Sequence, residues 1–236
     1  MSPKVFIAIP TYNEAKNIGQ LLEDIFAHLP EVSVLVVDDG SPDNTTLAVK
    51  EKMRKFKNIY LFERSGKLGF ASAYLTAFRE IINHHQADLL ITMDADFSHN
   101  PSYLPILISA VETCDMVIGS RYTKEGGIKN WSMVRRILSR AGNFYARMVT
   151  GLPVKDMTAG FLCLRISFLK KIPWQDMRAQ GYAWLMELKM LFYRRQARMV
   201  EVPIIFEERR FGLSKISRRI IAEGIVYPWF LRFSKR

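Results

Sequence analysis

The sequence predicts an α/β fold, a mainly parallel, Rossmann-like sheet flanked by helices. Three observations point to it. Short apolar runs alternate with stretches of helical periodicity through the first half of the chain. The apolar runs have the length and composition of buried strands rather than helices. Polar clusters follow them near Pro10, Asp38, Asp94 and Arg121, and right-handed crossovers put those carboxyl ends on one edge, where open α/β sheets bind ligands.

The elements read in order as follows. Val5 to Ile9 is a strand stopped by Pro10, and Asn13 is placed to cap a helix carrying Ile18, Leu21, Leu22, Ile25, Phe26 and Leu29. Val32 to Val37 is a second strand, ending in Asp38-Asp39-Gly40-Ser41. Ser41-Pro42-Asp43-Asn44 is turn chemistry, with Asn44 as the cap of a helix from Thr45 to Phe56. A strand at Ile59–Phe62, the loop Arg64–Gly69 and a helix from Phe70 to His84 follow. The fourth strand, Leu89-Leu90-Ile91-Thr92-Met93, runs into Asp94-Ala95-Asp96. A helix at Pro101–Glu112 and a strand at Met116–Ser120 complete the regular part.

The second half is less regular. Val134, Ile137, Leu138, Ala141, Phe144, Tyr145, Met148 and Val149 form an apolar stripe on a helix flanked by Arg135, Arg136, Arg140 and Arg147. Gly151-Leu152-Pro153 ends it. Asp156–Phe161 opens a strand running to about Leu164, Trp184–Arg195 is a helix, and Met199–Phe206 is a strand. A charged loop, Glu207–Lys215, precedes a last helix carrying Ile216, Ile220, Ile221, Ile225, Val226, Trp229, Phe230 and Phe233. No repeat or long linker divides the 236 residues, so a single domain is expected, with residues 1–125 as a nucleotide-binding half and 126–236 as an acceptor- and membrane-facing half.

The formal charge of +11 points to an anionic partner. Base-stacking aromatics interleaved with basic residues are not evident, which argues against nucleic acid. Gly66-Lys67-Leu68-Gly69 lacks the Walker A spacing, and no Gly-x-Gly-x-x-Gly follows the first strand. That loop reads equally well as a tight turn or as backbone brought close to a nucleotide. Cys114 and Cys163 are isolated, which suggests a reducing compartment and no zinc site. Pro3 and Lys4 lead straight into a strand, unlike a signal peptide, and no apolar run reaches the roughly 18 residues of a membrane span.

Asp94 and Asp96 share a face if the strand stays extended. Two acids there repel unless a cation lies between them. A hard divalent ion, Mg²⁺ or Mn²⁺, suits such oxygen ligands, with phosphates completing its shell. Alone, an Asp-x-Asp pair is as readily a capped turn.

Seven pieces taken together carry a resemblance: Ile9–Glu14, Val36–Ser41, Gly66–Gly69, Asp94–His99, Gly119–Tyr122, Asp156–Phe161 and Arg209–Lys215. In this order, over nearly the whole chain, they resemble family 2 glycosyltransferases of the GT-A fold, and within these the polyprenol-phosphate (dolichol-phosphate) mannose synthases. The resemblance implies that Pro10, Tyr12, Glu14, Val37 and Asp39 hold the guanosine part of GDP-mannose. It implies that Asp94, Ala95 and Asp96 hold metal and diphosphate, with Ser98, where many relatives carry Gln, as a weaker ligand. Arg121, Arg209 and Lys215 match cationic positions near the donor and acceptor phosphates. Asp38 is read as a turn acid. Asp156 stands where relatives place a catalytic base, so Asp96, Arg121 and Asp156 form the catalytic set. An acceptor phosphate monoester ionises with a second pKa of about 6, so Asp156 serves better to orient arginines or the sugar than to take a proton.

The implied reaction is an inverting, metal-dependent transfer of mannose to polyprenyl phosphate, with UDP-glucose as the rival donor. The implied place is the cytoplasmic face of a membrane, reached through amphipathic helices near Trp131–Thr150 and Ile216–Phe233 or through a separate transmembrane subunit.

Overall fold

The structure, a computed structural model, describes residues 2–209 and 218–234, without the side chains of 218–221. Seven strands form one sheet: β1 (Val5–Thr11), β2 (Ser33–Asp38), β3 (Ile59–Glu63), β4 (Leu89–Thr92), β5 (Met116–Ser120), β7 (Leu162–Arg165) and β8 (Met199–Pro203). Their order is β3-β2-β1-β4-β7-β5-β8. All pairs are parallel except those of β7, which runs antiparallel between β4 and β5. The short strands β6 (Gly127–Ile128) and β9 (Ile205–Phe206) pair separately.

The sheet is covered on both faces. Phe6 and Ala8 of β1 face one layer of core, while Ile7 and Ile9 face the other. That is the period-two alternation of a strand buried on both sides. The first layer is completed by α3 (Phe70–His84) and α7 (Ala183–Arg194), the second by α1 (Ala15–His28), α2 (Thr45–Lys55) and α4 (Leu104–Ala110). Helix α5 (Met133–Thr150), the one-turn α6 (Ile166–Leu169) and α8 (Arg218–Phe233) complete the chain.

Several expectations need correction. Asn13 does not cap α1: it sits at φ +59°, and its N–H donates to Ser41 Oγ. The amides at the start of α1 are met from the junction of β2 and α2, Glu14 N–H by Thr45 Oγ1 and Ala15 N–H by Asp43 Oδ2. Asn44 holds the N-cap position of α2 without a side-chain bond, and Asp43 accepts from Thr45 N–H instead. The helix read over Pro101–Glu112 is α4 between two 3-10 turns, Pro101–Tyr103 and Val111–Thr113. Asp156–Phe161 is loop, not strand, because its polar groups bond to side chains; the ladder begins at Leu162. The strand read over Met199–Phe206 splits at Ile204, where the chain leaves β5 and joins β6.

Helix α5 is capped by Ser132 Oγ, which accepts from Arg135 N–H, and ends at Gly151 in the left-handed conformation at φ +73°. Most of its apolar stripe is uncovered: Val134, Ile137, Leu138, Phe144 and Met148, with neighbouring Met133, are at least 59% exposed, while Val149 is buried. Ile225, Val226, Trp229, Phe230 and Phe233 of α8 are exposed too. The two helices are joined by Tyr145, whose hydroxyl donates to Ile225 O and accepts from Trp229 Nε1–H. Among the described residues no helix is long and apolar enough to cross a membrane.

Candidate active site

A cleft opens at the carboxyl edge of β1, β2 and β4, around about 870 Å³ of space that includes open solvent. Pro10, Tyr12, Glu14, Asp39, Asp94, Ala95, Asp96 and Arg209 line it. Val37 does not. It is wholly buried in β2 beneath the cleft, since it belongs to the core face.

The floor is a network between the loops after β1 and β2. Asp38 accepts from Thr11 Oγ1–H at 2.9 Å and from Ser41 N–H and Oγ–H at 2.8 and 2.6 Å, which makes it the turn acid expected. Glu14 accepts from Asn17 Nδ2–H at 2.7 Å. Asp39 lines the cleft, but its two oxygens accept the Leu68 and Gly69 amides, each at 2.9 Å, and Arg64 Nη1 lies 3.1 Å away. The loop at Gly66–Gly69 is thereby fastened to β2 and brought to the cleft. Gly40 permits this contact: at φ +69°, a Cβ there would meet Gly66 Cα at 2.7 Å. Lys67 Nζ lies 4.3 Å from the centre of the Tyr12 ring and closes that wall.

At the end of β4 the chain turns rather than continuing extended, with Phe97 at φ +66°. The two acids therefore meet the cleft from a turn, not from one strand face. The backbone N–H of Asp94 donates to His99 Nδ1 at 3.0 Å. Burial lowers the His99 pKa, so the ring stays neutral and Nδ1 stays an acceptor. Tyr74 donates its hydroxyl to Asp94 Oδ1 at 3.0 Å, and burial together with the Asp94 charge pushes that phenol well up. Burial also raises the Asp94 carboxyl. Among the described residues no cation forms an ion pair with Asp94. A half-buried carboxylate at a cleft wall, without an ion-paired cation among the described residues and beside a second acid, fits a hard divalent ion. Among the described residues no three His, Cys, Asp or Glu are placed to hold a metal ion together, so the remaining ligands would be substrate oxygens and water. Asp96 Oδ2 faces Arg209 Nη2 at 3.5 Å. Ser98 lies beneath Asp96 rather than in the cleft. Its hydroxyl donates to Asp96 Oδ1 at 2.6 Å, so it holds the acid in place.

Arg121 and Asp156 are brought together away from the cleft lining. Asp156 is wholly buried and accepts from Arg121 N–H (2.9 Å), Nε–H (2.7 Å) and Nη2–H (2.6 Å). Burial raises its pKa, but the Arg121 charge and hydrogen bonds outweigh burial and hold it low. The guanidinium is in turn held in its charged form against the cost of burial. It lies 5.3 Å from the ring centres of Tyr122 and Phe206 and 5.9 Å from that of Trp131. Lys189, also wholly buried, donates to Met157 O and Ala159 O at 3.1 and 2.8 Å, and burial pulls its pKa to about 7. Glu201 accepts the Lys155 and Asp156 amides at 2.9 Å each. The Asp156 loop is thus fixed on three sides. Lys215 lies outside the described residues.

Sequence reasoning missed Gly181 and Tyr182, which also line the cleft. Glu223 of α8 accepts the Gln180 and Gly181 amides at 2.8 Å each, and Glu187 of α7 accepts those of Arg178 and Ala179 at 3.0 Å. No local motif marks these residues. Their place follows from two carboxylates, Glu187 nearby in the sequence and Glu223 more than 40 residues away.

A mainly parallel sheet with its cleft at the carboxyl edge is the architecture of the GT-A fold. Solved structures share the architecture: glucosyl-3-phosphoglycerate synthase from Mycobacterium tuberculosis in complex with Mn²⁺, UDP and phosphoglyceric acid superposes with a TM-score of 0.71 at 16% identity, covering 96% of this chain and 78% of that one. The family model "Glycosyl transferase family 2" matches residues 6–173, and the chain belongs to that family. It is 38% identical over 223 residues to an undecaprenyl-phosphate mannosyltransferase of Micrococcus luteus, covering 94% of this chain and 91% of that protein. It is 36% identical to a polyprenol monophosphomannose synthase of Mycolicibacterium smegmatis (97% and 88% covered) and 34% identical to a dolichol-phosphate mannosyltransferase of Pyrococcus furiosus (93% and 61% covered).

Proposed function

We propose that the protein transfers mannose from GDP-mannose to a polyprenyl (dolichyl) phosphate, with inversion, in a reaction dependent on Mg²⁺ or Mn²⁺. The observation that carries this reading is the pairing of the acid-lined cleft with the exposed apolar faces of α5 and α8. Sugar nucleotide would fill the first and a lipid-borne acceptor would approach along the second. The relatives named for mannosyl transfer to such lipids support the same choice.

In this reading Pro10, Tyr12, Glu14 and Asp39 hold the nucleoside, Tyr12 through its ring face and the acids as hydrogen-bond acceptors. Asp94 and Asp96 would hold the divalent ion, which neutralises charge building on the departing diphosphate when bound. Arg209 stands beside Asp96 and adds positive charge there, a part that the resemblance also gives to Lys215. An acceptor phosphate oxygen attacks the anomeric carbon, the bond to the diphosphate oxygen breaks, and GDP leaves with the electron pair. A phosphate monoester is already ionised near neutral pH, so no proton has to be taken. Asp156, buried and held ionised by Arg121, acts as a positioning residue for that arginine. The enzyme works as a peripheral protein on the cytoplasmic face of a membrane, alone or with a separate membrane-spanning subunit.

The test offers labelled GDP-mannose and UDP-glucose with phytanyl phosphate, with and without Mg²⁺ or Mn²⁺. Transfer from GDP-mannose that stops on adding EDTA is expected; transfer from UDP-glucose alone would overturn the donor. Asp96→Ala is expected to abolish metal-dependent transfer with an unchanged circular dichroism spectrum, and retained activity at ordinary metal concentration would refute the site.

A further inference from the structure

A second recess lies on α5, outside the cleft. Tyr122, Arg140, Asn143, Phe144, Arg147 and Lys155 form it, around about 640 Å³ open to solvent. Arg140, Asn143, Phe144 and Arg147 recur at helical spacing and make one stripe. Asn143 closes the base: its side chain bonds Ser139 O and Thr158 N–H, so it is already occupied. The rim is cationic. Among the described residues no carboxylate forms an ion pair with Arg140, Arg147 or Lys155; the carboxylates nearby are engaged elsewhere, Glu201 with backbone amides and Asp156 with Arg121. Three like charges around one recess repel each other, and a bound anion relieves that repulsion.

The position of the recess says which anion. Phe144 belongs both to the recess and to the exposed apolar row of Met133, Ile137 and Met148 on the same helix. Beyond that row, α5 meets α8 with its own exposed Ile225, Val226, Trp229 and Phe230. The cationic recess therefore edges an apolar surface, the arrangement in which a headgroup phosphate and its acyl chains are met together. A free anion needs no apolar border, and a nucleic acid would leave the apolar row uncovered.

We propose that this recess binds the phosphate of an anionic bilayer phospholipid, a docking lipid separate from the acceptor. The inference extends the membrane-surface part of the proposed function and does not depend on sugar transfer. The test is flotation of the full chain with phosphatidylcholine vesicles, with and without phosphatidylglycerol, and with no polyprenyl phosphate or sugar nucleotide present. Binding to the anionic vesicles is expected. The triple variant Arg140→Gln, Arg147→Gln, Lys155→Gln, all at exposed positions, is expected to weaken it about 100-fold. The control variant Lys57→Gln, Lys170→Gln, Lys171→Gln removes the same charge from exposed positions near the opposite edge of the sheet, and is expected to leave binding within about threefold. Equal losses in the two variants would mean diffuse attraction and overturn the recess. So would full binding by the first variant, or wild-type binding that ignores phosphatidylglycerol. Release of the wild type by inorganic phosphate at matched ionic strength would assign the recess to a free anion and overturn the lipid. A negative transfer assay with positive flotation would defeat the enzyme reading and leave this one standing.

Discussion

Asp156→Asn separates a positioning role from a proton-transfer role. The substitution keeps the shape and one acceptor oxygen but removes the charge that faces Arg121. Asp156 is 0% and Arg121 8% exposed, so solvent can do little to replace it. Three charge-assisted bonds converge on the carboxylate, from Arg121 N–H, Nε–H and Nη2–H. Removing one partner of such a buried pair costs about 3–5 kcal/mol, because the other charge is left uncompensated. The rings of Tyr122, Trp131 and Phe206 and the Thr158 hydroxyl, at 2.8 Å from Nη2, remain and favour the lower end. A loss of about 3 kcal/mol in urea unfolding at pH 7 is expected, equivalent to a fall in Tm of about 6–12 °C for a chain of this size. Arg121→Met with Asp156→Leu should recover part of that stability without restoring transfer. Transfer by Asp156→Asn should fall with the acid limb of its pH profile in place. Stability within about 1 kcal/mol of wild type would refute the buried-pair account, and loss of the acid limb would make Asp156 a base after all.

Three further predictions follow from the same packing. The Lys189 pKa is lowered to about 7 from 10.5. Between those values the unfolded chain binds a proton that the folded one does not, so this residue makes stability rise with pH from about 7 to 10.5; the urea midpoint should climb more steeply from pH 7 to 9 in wild type than in Lys189→Met. Glu223→Ala frees the Gln180 and Gly181 amides, and should weaken donor binding about tenfold by calorimetry, at about 1.4 kcal/mol for two lost bonds; an unchanged Kd would mean that the wall at Gly181 and Tyr182 does not touch donor. Gly40→Ala forces its new methyl against Gly66 Cα, and should cost about 1–3 kcal/mol in denaturant unfolding.

The strand-helix alternation was legible because it rests on local pattern. Phe70–His84 and Met116–Ser120 stand as read, and the acids after Leu89–Thr92 reach the cleft as expected. What the sequence hid depends on partners remote along the chain. The signature around Arg121 suggests a phosphate contact, yet Trp131, Phe206 and Asp156 turn its side chain into a cage. Asn13 is a good cap by residue type, but Asp43 and Thr45 had already met the α1 amides. Asp39 reads as a nucleotide acceptor, while much of its capacity goes to the Leu68 and Gly69 amides.

The antiparallel strand β7 also governs the order in which this molecule can be assembled. It lies between β4 and β5 although it follows both in the chain. A ribosome-bound chain that has not yet emitted Leu162 holds β4 with one unpaired edge and β5 with two, the kind of template that recruits other strands. Closing the gap also brings Asp156 to Arg121, so the last interior strand to arrive joins the two parts of the sheet and completes the buried ion pair, and β8 pairs with the outer edge of β5 afterwards. Residues 1–125 therefore hold most of the cleft but not a closed sheet. Fragments ending before β7 should aggregate rather than bind nucleotide, and any split of this enzyme into two chains has to leave Leu162–Arg165 free to insert.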